Sequence, residues 1–293
     1  MLEIHELTRS FGDRLAVDHV SFQVPPGQLT GFVGANGAGK TTTMRMVMGL
    51  LAPTSGSVTW QGAPIVDEVR RGIGYMPEER GLYPKQQVLD QLVHMARLRG
   101  MPAGAARAEA TELLGAFGLG ERTKDKLEKL SLGNQQRVQV TAALMASPMA
   151  LILDEPFSGL DPMAVDEMAD QLRARAASGV PVLFSSHQLD LVDRLCDGLV
   201  ILAGGRVVAQ GTRTELESRG RLLHRLVTDS DAGWVRDLAG VTVVDVDGNR
   251  ALLELAKPGL VDRVLAEAMA RGSVRELAEV RPTLSEIYRE VAA

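Results

Sequence analysis

Between residues 2 and 33 the apolar positions fall in short runs, "LEIHEL", "AVDHVSFQV" and the apolar "LTGFV", with the turn "PPGQ" before the last. Short runs bounded by turn residues predict strands. The third run leads into "GANGAGKTTT", and "TTTMRMVMGLL" reads as a helix start; "GSVTWQG" and "GIGYMP" predict two further strands. From Gln86 the apolar spacing shifts to three and four in "QQVLDQLVHMARLRG" and "AGAARAEATELLGAFG", which predicts a helical subdomain over about 86–147. "ALILD" and "VPVLFSS" are almost wholly apolar and flank the helix-like "MAVDEMADQLRARAAS". Such runs predict buried parallel strands joined by crossover helices. "DGLVILAGGRVVAQG" closes this part as a hairpin near residue 211.

Residues 220 to 293 have a different rhythm. "LLHRLV", "DAGWVRDLAG", "VTVVDV", "RALLEL", "GLVDRVLAEAMARG" and "SVRELAEV" predict strand, helix, strand, strand, helix and strand, with a hairpin turn at "DGN". That order suits a small ferredoxin-like domain. "TLSEIYREVAA" predicts a last helix, with Thr283 and Glu286 at capping-box spacing. The expected class is therefore α/β, with a mixed and parallel sheet core and a helical subdomain over residues 1–215, then a small α+β accessory domain over 220–293. His224 and Trp234 are scattered in that second part and read as packing or surface residues.

Bulk properties narrow the function. With 45% hydrophobic and 24% charged residues the chain has the composition of a folded globular protein, not of a disordered one. A formal net charge of -5 argues against a nucleic-acid coat, which needs a concentrated basic surface, so no nucleic-acid partner is expected. The lone Cys196 cannot form an intramolecular disulfide. "MLEIHELTRSFGD" lacks the basic start and apolar run of a signal peptide. No apolar stretch approaches the roughly 18 to 20 residues that cross a bilayer, so any membrane role is expected to come through a partner.

The chemistry concentrates in a few motifs. "GANGAGKT" sits between a predicted strand and a predicted helix, the context of a phosphate-binding loop. Gly34, Gly37 and Gly39 let the loop curl so that backbone N–H groups face inward, with Asn36, Ala38 and Thr42 completing it. Lys40 reaches phosphate as a point charge, and Thr41 offers a hydroxyl to magnesium. A purely structural glycine turn is the blander alternative. In "ALILDEP", Asp154 and Glu155 end a buried strand, which Pro156 terminates. Two carboxylates there need solvent or a cation, so Asp154 is a magnesium candidate. Glu155, diverging from its neighbour along an extended chain, is the candidate to polarise water. His187 follows the strand "VLFSS" and could contact a γ-phosphate or that carboxylate; alone it would read as a polar loop residue. "LSLGNQQR" adds a second hydroxyl-and-glycine helix start about ninety residues after the first loop, again a ready anion site.

Taken in order, "GANGAGKT", "LSLGNQQR", "LILDEP", "SGLD" and "SSH" resemble the nucleotide-binding subunit of an ABC transporter over about residues 1 to 215. The resemblance implies ATP and Mg²⁺ as ligands and a head-to-tail dimer with a second copy or a homologous cassette. Ser131 and Gly133 would then close over the nucleotide held by the partner, which explains a second phosphate-binding stretch in one chain. It further implies that Phe11 stacks on adenine, although alone Phe11 would read as core. Asp161 would be the acid that communicates across the dimer, His187 the switch histidine, Asp154 the magnesium-associated aspartate and Glu155 the catalytic glutamate.

Two motifs depart from the family pattern. In "LSLGN", Leu132 stands where a glycine is usual and Asn134 where a glutamine is usual. Glu78, in "MPEERGLYP", stands at the usual glutamine; it can offer an oxygen to magnesium, but adds negative charge beside the γ-phosphate. "MPEERGLYP" and the ending "RPTLSEIYREV" resemble drug, antibiotic or sodium exporter subunits whose permease subunits are separate transmembrane chains. The implied function is an ATPase on the cytoplasmic side of the plasma membrane, held there peripherally by those permeases and powering export. The alternatives are a cassette of the same fold in ribosome-associated or assembly work, or a nucleotide-dependent scaffold. A single motif set and the lack of a long coiled-coil insertion argue against the two-cassette and chromosome-maintenance relatives.

Overall fold

The computed structural model describes residues 1–79, 81–212, 214–216, 222–257 and 259–280. It divides into two compact units, Met1–Thr212 and Arg213–Ala293. In the first, strands β1 (Leu2–Phe11), β2 (Arg14–Val24), β4 (Ser55–Trp60) and β5 (Ala63–Pro64) form a four-stranded sheet in the order β2-β1-β4-β5. All its pairings are antiparallel. Leu2, Ile4, Leu7, Val17, Val20 and Phe22 point inward from this sheet and share one core with Phe32, Met44, Ile152 and Val200.

The second sheet of this unit has six strands. β3 (Leu29–Val33), β6 (Ile73–Met76), β7 (Ala150–Leu153), β8 (Val182–Ser186), β9 (Gly198–Ala203) and β10 (Arg206–Thr212) lie in the order β10-β9-β3-β8-β7-β6. The pairings from β9 to β6 are parallel, and only the β9/β10 hairpin is antiparallel. β3, β7 and β8 are buried at every position, including the polar Thr30, Ser185 and Ser186, as strands of a sheet covered on both faces. Gly31 in the middle of β3 permits close packing: a Cβ there would lie 2.4 Å from Val192 Cγ1 and 2.8 Å from Cys196 Sγ.

Helices α1 (Lys40–Val47), α2 (Asp67–Arg71), α3 (Val88–Leu98), α4 (Ala103–Ala116), α5 (Leu132–Leu144), α6 (Pro162–Ala177) and α7 (Leu189–Leu195) complete the unit. α3, α4 and α5 lie within residues 86–147, where the spacing predicts helices. Between α4 and α5 the chain forms only two single 3-10 turns, Gly120–Arg122 and Leu127–Lys129.

The second unit is a four-stranded antiparallel sheet of β11 (Leu223–Thr228), β12 (Val241–Asp247), β13 (Arg250–Leu255) and β14 (Val274–Val280), with α8 (Leu260–Arg271) before the last strand. The strand order β12-β13-β11-β14 is the one a split strand-helix-strand arrangement produces. The first predicted helix is a correction: "DAGWVRDLAG" holds only a 3-10 segment, Gly233–Asp237. Asp231 Oδ1 accepts from Gly233 N–H at 2.7 Å, and Gly240 takes a φ of 85°, so turn chemistry at both ends leaves no room for an α-helix. His224 is buried within β11, and the Arg271 guanidinium lies 4.6 Å from the Trp234 ring centroid, so both residues serve packing. The predicted helix with Thr283 and Glu286 lies outside the described residues.

Candidate active site

The carboxyl ends of β3, β7 and β8 face the turn into α1, and the predicted chemistry gathers there. The loop between β3 and α1 needs its glycines for two different reasons. Gly37 and Gly39 have φ values of 81° and 106°, left-handed conformations that a side chain resists. At Gly34 the constraint is space, because a Cβ would sit 2.4 Å from the Leu202 carbonyl oxygen. Gly39 is also tight, 2.8 Å from the Ala16 carbonyl by the same measure, which seats the loop against β2. Gly39 caps α1, so the N-terminal N–H groups of the helix open into the loop.

Lys40 is only 7% exposed. Its Nζ donates to the carbonyls of Gly34 at 2.7 Å and Ala35 at 3.3 Å, holding the ammonium across the loop. Burial pushes its pKa down, while Glu155, Asp154 and Glu78 act in the opposite direction. Asn36, Gly37, Gly39, Lys40, Thr41, Thr42, Glu78, Asp154 and Glu155 line one cleft of about 290 Å³. Gly34 contributes a carbonyl to Lys40, and Ala38 is buried beneath the loop.

Asp154 is 1% exposed. Its N–H still pairs with the Met76 carbonyl of β6 at 2.9 Å, and its Oδ1 accepts from Ser185 Oγ at 2.5 Å. Oδ2 is buried with no hydrogen-bond partner among the described residues. A buried carboxylate oxygen left so is costly unless a cation or water meets it.

Glu155 corrects the extended-chain expectation. β7 ends at Leu153, ahead of Pro156, and Glu155 has a φ of 52°. Its N–H leaves the ladder to donate to Ser185 Oγ at 2.8 Å, and its carbonyl accepts from Gln136 Nε2 at 2.8 Å. The divergence of the two carboxylates thus comes from a left-handed turn, a conformation sparsely populated outside glycine and asparagine. Glu155 Oε1 lies 3.0 Å from His187 Nδ1. Burial raises the Glu155 pKa, and His187 and Lys40 moderate the rise.

A second cleft of about 250 Å³ adjoins these groups and is lined by Asn36, Glu78, Leu132, Gln136, Glu155, Ser158, Gly159 and His187. Leu132 is 60% exposed, so the apolar substitution in "LSLGN" stands on the surface and forces no repacking. Ser131 caps α5, its Oγ accepting from Asn134 N–H at 3.3 Å, and Gly133 packs near Gly159 and Leu160. Asp161 caps α6 by accepting from Ala164 N–H at 2.9 Å. Phe11 is half-exposed at the end of β1 with the Arg9 guanidinium 4.8 Å from its ring centroid. Phe11, Ser131 and Asp161 stand outside the linings of the two clefts.

Ser185 and Gln136 fall within "SSH" and "LSLGNQQR", but nothing in those motifs gave either residue a role of its own. The parallel register pairs Leu153 with Phe184, so Asp154 and Glu155 emerge beside Ser185. No spacing within the sequence reveals that register. Gln139 is a further residue that spacing misses: its Nε2 donates to the Pro77 carbonyl at 2.7 Å, tethering the loop that carries Glu78 to α5.

Comparison with known proteins agrees with this geometry. The model of the ABC transporter family matches residues 17–158, and a model described as ATP-binding protein DrrA1-3-like, C-terminal domain, matches residues 211–292. The chain is 40% identical over 291 residues to the uncharacterized ABC transporter ATP-binding protein YhaQ of Bacillus subtilis, covering 99% of this chain and 98% of that protein. It is 33% identical to the linearmycin resistance ATP-binding protein LnrL of the same organism, over 92% of this chain and 91% of that one. Among solved structures, an ATP-binding subunit of an ABC transporter superposes with a TM-score of 0.69 at 32% identity, covering 75% of this chain and 92% of that one. A dimeric bacterial ABC transporter cassette superposes with a TM-score of 0.67 at 23% identity, over 72% of this chain and 98% of that one, and carries the fold alone.

Proposed function

Since this chain belongs to the ABC transporter family of ATP-binding subunits, we propose that it powers export through separate transmembrane subunits, with Lys40, Asp154, Glu155 and His187 as its hydrolytic group. ATP binding and hydrolysis are general to the family, as are work with transmembrane subunits and dimerisation. Among the described residues no helix is long and apolar enough to cross a membrane, so the proposed place is peripheral, on the cytoplasmic face, through those subunits. Export is supported by a relative named for linearmycin resistance and others named as Nod factor export ATP-binding proteins.

One observation carries the hydrolytic assignment: the orphaned, buried Asp154 Oδ2 in a cleft shared with Lys40, Thr41 and Glu155. The site fits a magnesium ion. Thr41 and Glu78 are within reach of each other, Thr41 Oγ1 donating to Glu78 Oε2 at 3.3 Å, and with Asp154 they supply the hard oxygens magnesium prefers. When bound, magnesium would neutralise charge on the phosphates. Lys40 would exchange its two loop carbonyls for phosphate oxygens. Glu155 holds an acceptor for the proton of an attacking water, and His187 fixes that carboxylate's orientation. Phe11 offers an exposed ring for adenine, and Ser131, Gly133 and Asp161 are the groups presented to a second cassette. The unit around α8 contains no catalytic cluster among its described residues, so its proposed task is to stabilise or regulate the cassette dimer.

Co-purification with the membrane subunits, followed by ATPase assays with and without cargo, tests the transport reading. Cargo-stimulated hydrolysis supports it, whereas a stable monomer with no membrane partner contradicts it. Glu78 supplies a finer prediction. In Glu78→Gln a negative charge disappears beside the phosphates while the amide is a weaker metal ligand, so the magnesium concentration for half-maximal ATPase should rise by about 10-fold. An unchanged magnesium titration together with unchanged coupling to transport removes Glu78 from the site.

A further inference from the structure

Gln136 lies in the second turn of α5 and donates from Nε2 to two successive carbonyls, those of Glu155 at 2.8 Å and Pro156 at 3.2 Å. On the other side of the same segment, Glu155 N–H donates to Ser185 Oγ. The Glu155 residue between these anchors has the left-handed φ of 52°, which a non-glycine residue holds only when its surroundings fix it. Pro156 has no N–H of its own, so at that residue the backbone can be held only through its carbonyl. Ser158 N–H also reaches the Glu155 carbonyl, at 3.2 Å, but it belongs to the same loop. Gln136 is the anchor to a body fixed elsewhere. α5 is held by Gln139 on the Pro77 carbonyl, and by Arg137 on the Phe117 carbonyl at 2.8 Å and on Glu167 at 3.0 Å.

We propose that Gln136 is a positioning residue for hydrolysis, fixing the backbone of Glu155 and Pro156 so that the Glu155 carboxylate stays beside His187. This rests on the reading of Glu155 as the water-polarising group. The amide nitrogen of Gln136 is occupied by the two carbonyls, so its proposed effect passes through the loop backbone. The same helix begins at Ser131, the group presented to the other cassette. One rigid element therefore joins the surface that meets a partner's nucleotide to the carboxylate that serves this chain's own.

Gln136→Glu keeps the shape of the side chain, removes the donor and sets a carboxylate against two carbonyls. Steady-state ATPase and direct ATP-binding measurements are made on it, on Glu155→Gln and on the double variant. Gln136→Glu should lower kcat by about 10- to 100-fold, the scale of a misplaced reacting group, with ATP affinity within about twofold of the parent. In the Glu155→Gln background it should cause no further loss, since both changes remove one function. Gln136→Ala, which removes the donor without adding charge, should show the same pattern with a smaller drop, and intact ATP binding by either variant reports a folded phosphate loop. Unchanged kcat in both Gln136 variants overturns the proposal, as does a loss that multiplies undiminished in the Glu155→Gln background or one that appears equally in ATP affinity. Near-parental turnover of Glu155→Gln would instead remove the assignment of Glu155 itself, and the proposal with it.

Discussion

Lys40→Ala should lose ATP binding while the chain still folds. The ammonium already occupies the centre of the phosphate loop, bridging the Gly34 and Ala35 carbonyls, and it is the cation that faces Glu155, Asp154 and Glu78. Two charge-assisted hydrogen bonds to phosphate at about 1.5 to 3 kcal/mol each set a loss of roughly 100-fold or more in affinity. The effect is enlarged because three carboxylates are left facing an anion without this counter-charge. Titration calorimetry or a fluorescent nucleotide checks it, with circular dichroism confirming the fold. Affinity within about threefold of the parent, a difference below about 1 kcal/mol, would show that Lys40 is a structural brace for the loop and no phosphate ligand.

Glu155→Gln should do the opposite to binding and as much to turnover. The substitution preserves shape and the contact with Ser185 through the backbone, but an amide cannot take a proton from water. Loss of a general base lowers turnover by roughly 100-fold or more, with ATP retained. The position of Glu155 makes the prediction sharper than its sequence does. Its carboxylate is 13% exposed, its pKa is raised by burial, and His187 Nδ1 holds Oε1 at 3.0 Å, the features of a group kept basic and aimed. Near-normal turnover in the purified variant would transfer the role to another group.

The parts of this site that local spacing defines are legible in the sequence. Lys40 and Thr41 follow their glycines at fixed intervals, and β7 and β8 announce themselves as almost wholly apolar runs, so residue order alone points to the loop, the acidic pair and buried parallel strands. The parts that stay hidden depend on neighbours distant in the chain. The left-handed turn at Glu155 arises because Ser185, thirty residues later, takes its N–H and Gln136, nineteen residues earlier, takes its carbonyl. Neither residue lies in a pattern that periodicity detects. In the second unit, the strands of "VTVVDV" and "RALLEL" followed from β-branched and alternating residues and a "DGN" turn. The missing helix in "DAGWVRDLAG" did not, because Asp231 and Gly240 impose turn geometry that helical spacing of Trp234, Val235 and Leu238 conceals.

In the proposed dimer, Ser131 and Gly133 complete the nucleotide site of a second cassette, not of their own. Analytical ultracentrifugation of Glu155→Gln with magnesium and ATP tests this most directly, run beside the same variant carrying Ser131→Glu, which sets a negative charge at the helix end that would face phosphate. The parent variant should sediment as a dimer with nucleotide and as a monomer without it. The Ser131→Glu form should bind ATP as tightly as a single chain and remain a monomer. Dimers formed equally well by both, or ATP binding lost from the Ser131→Glu monomer, would contradict it.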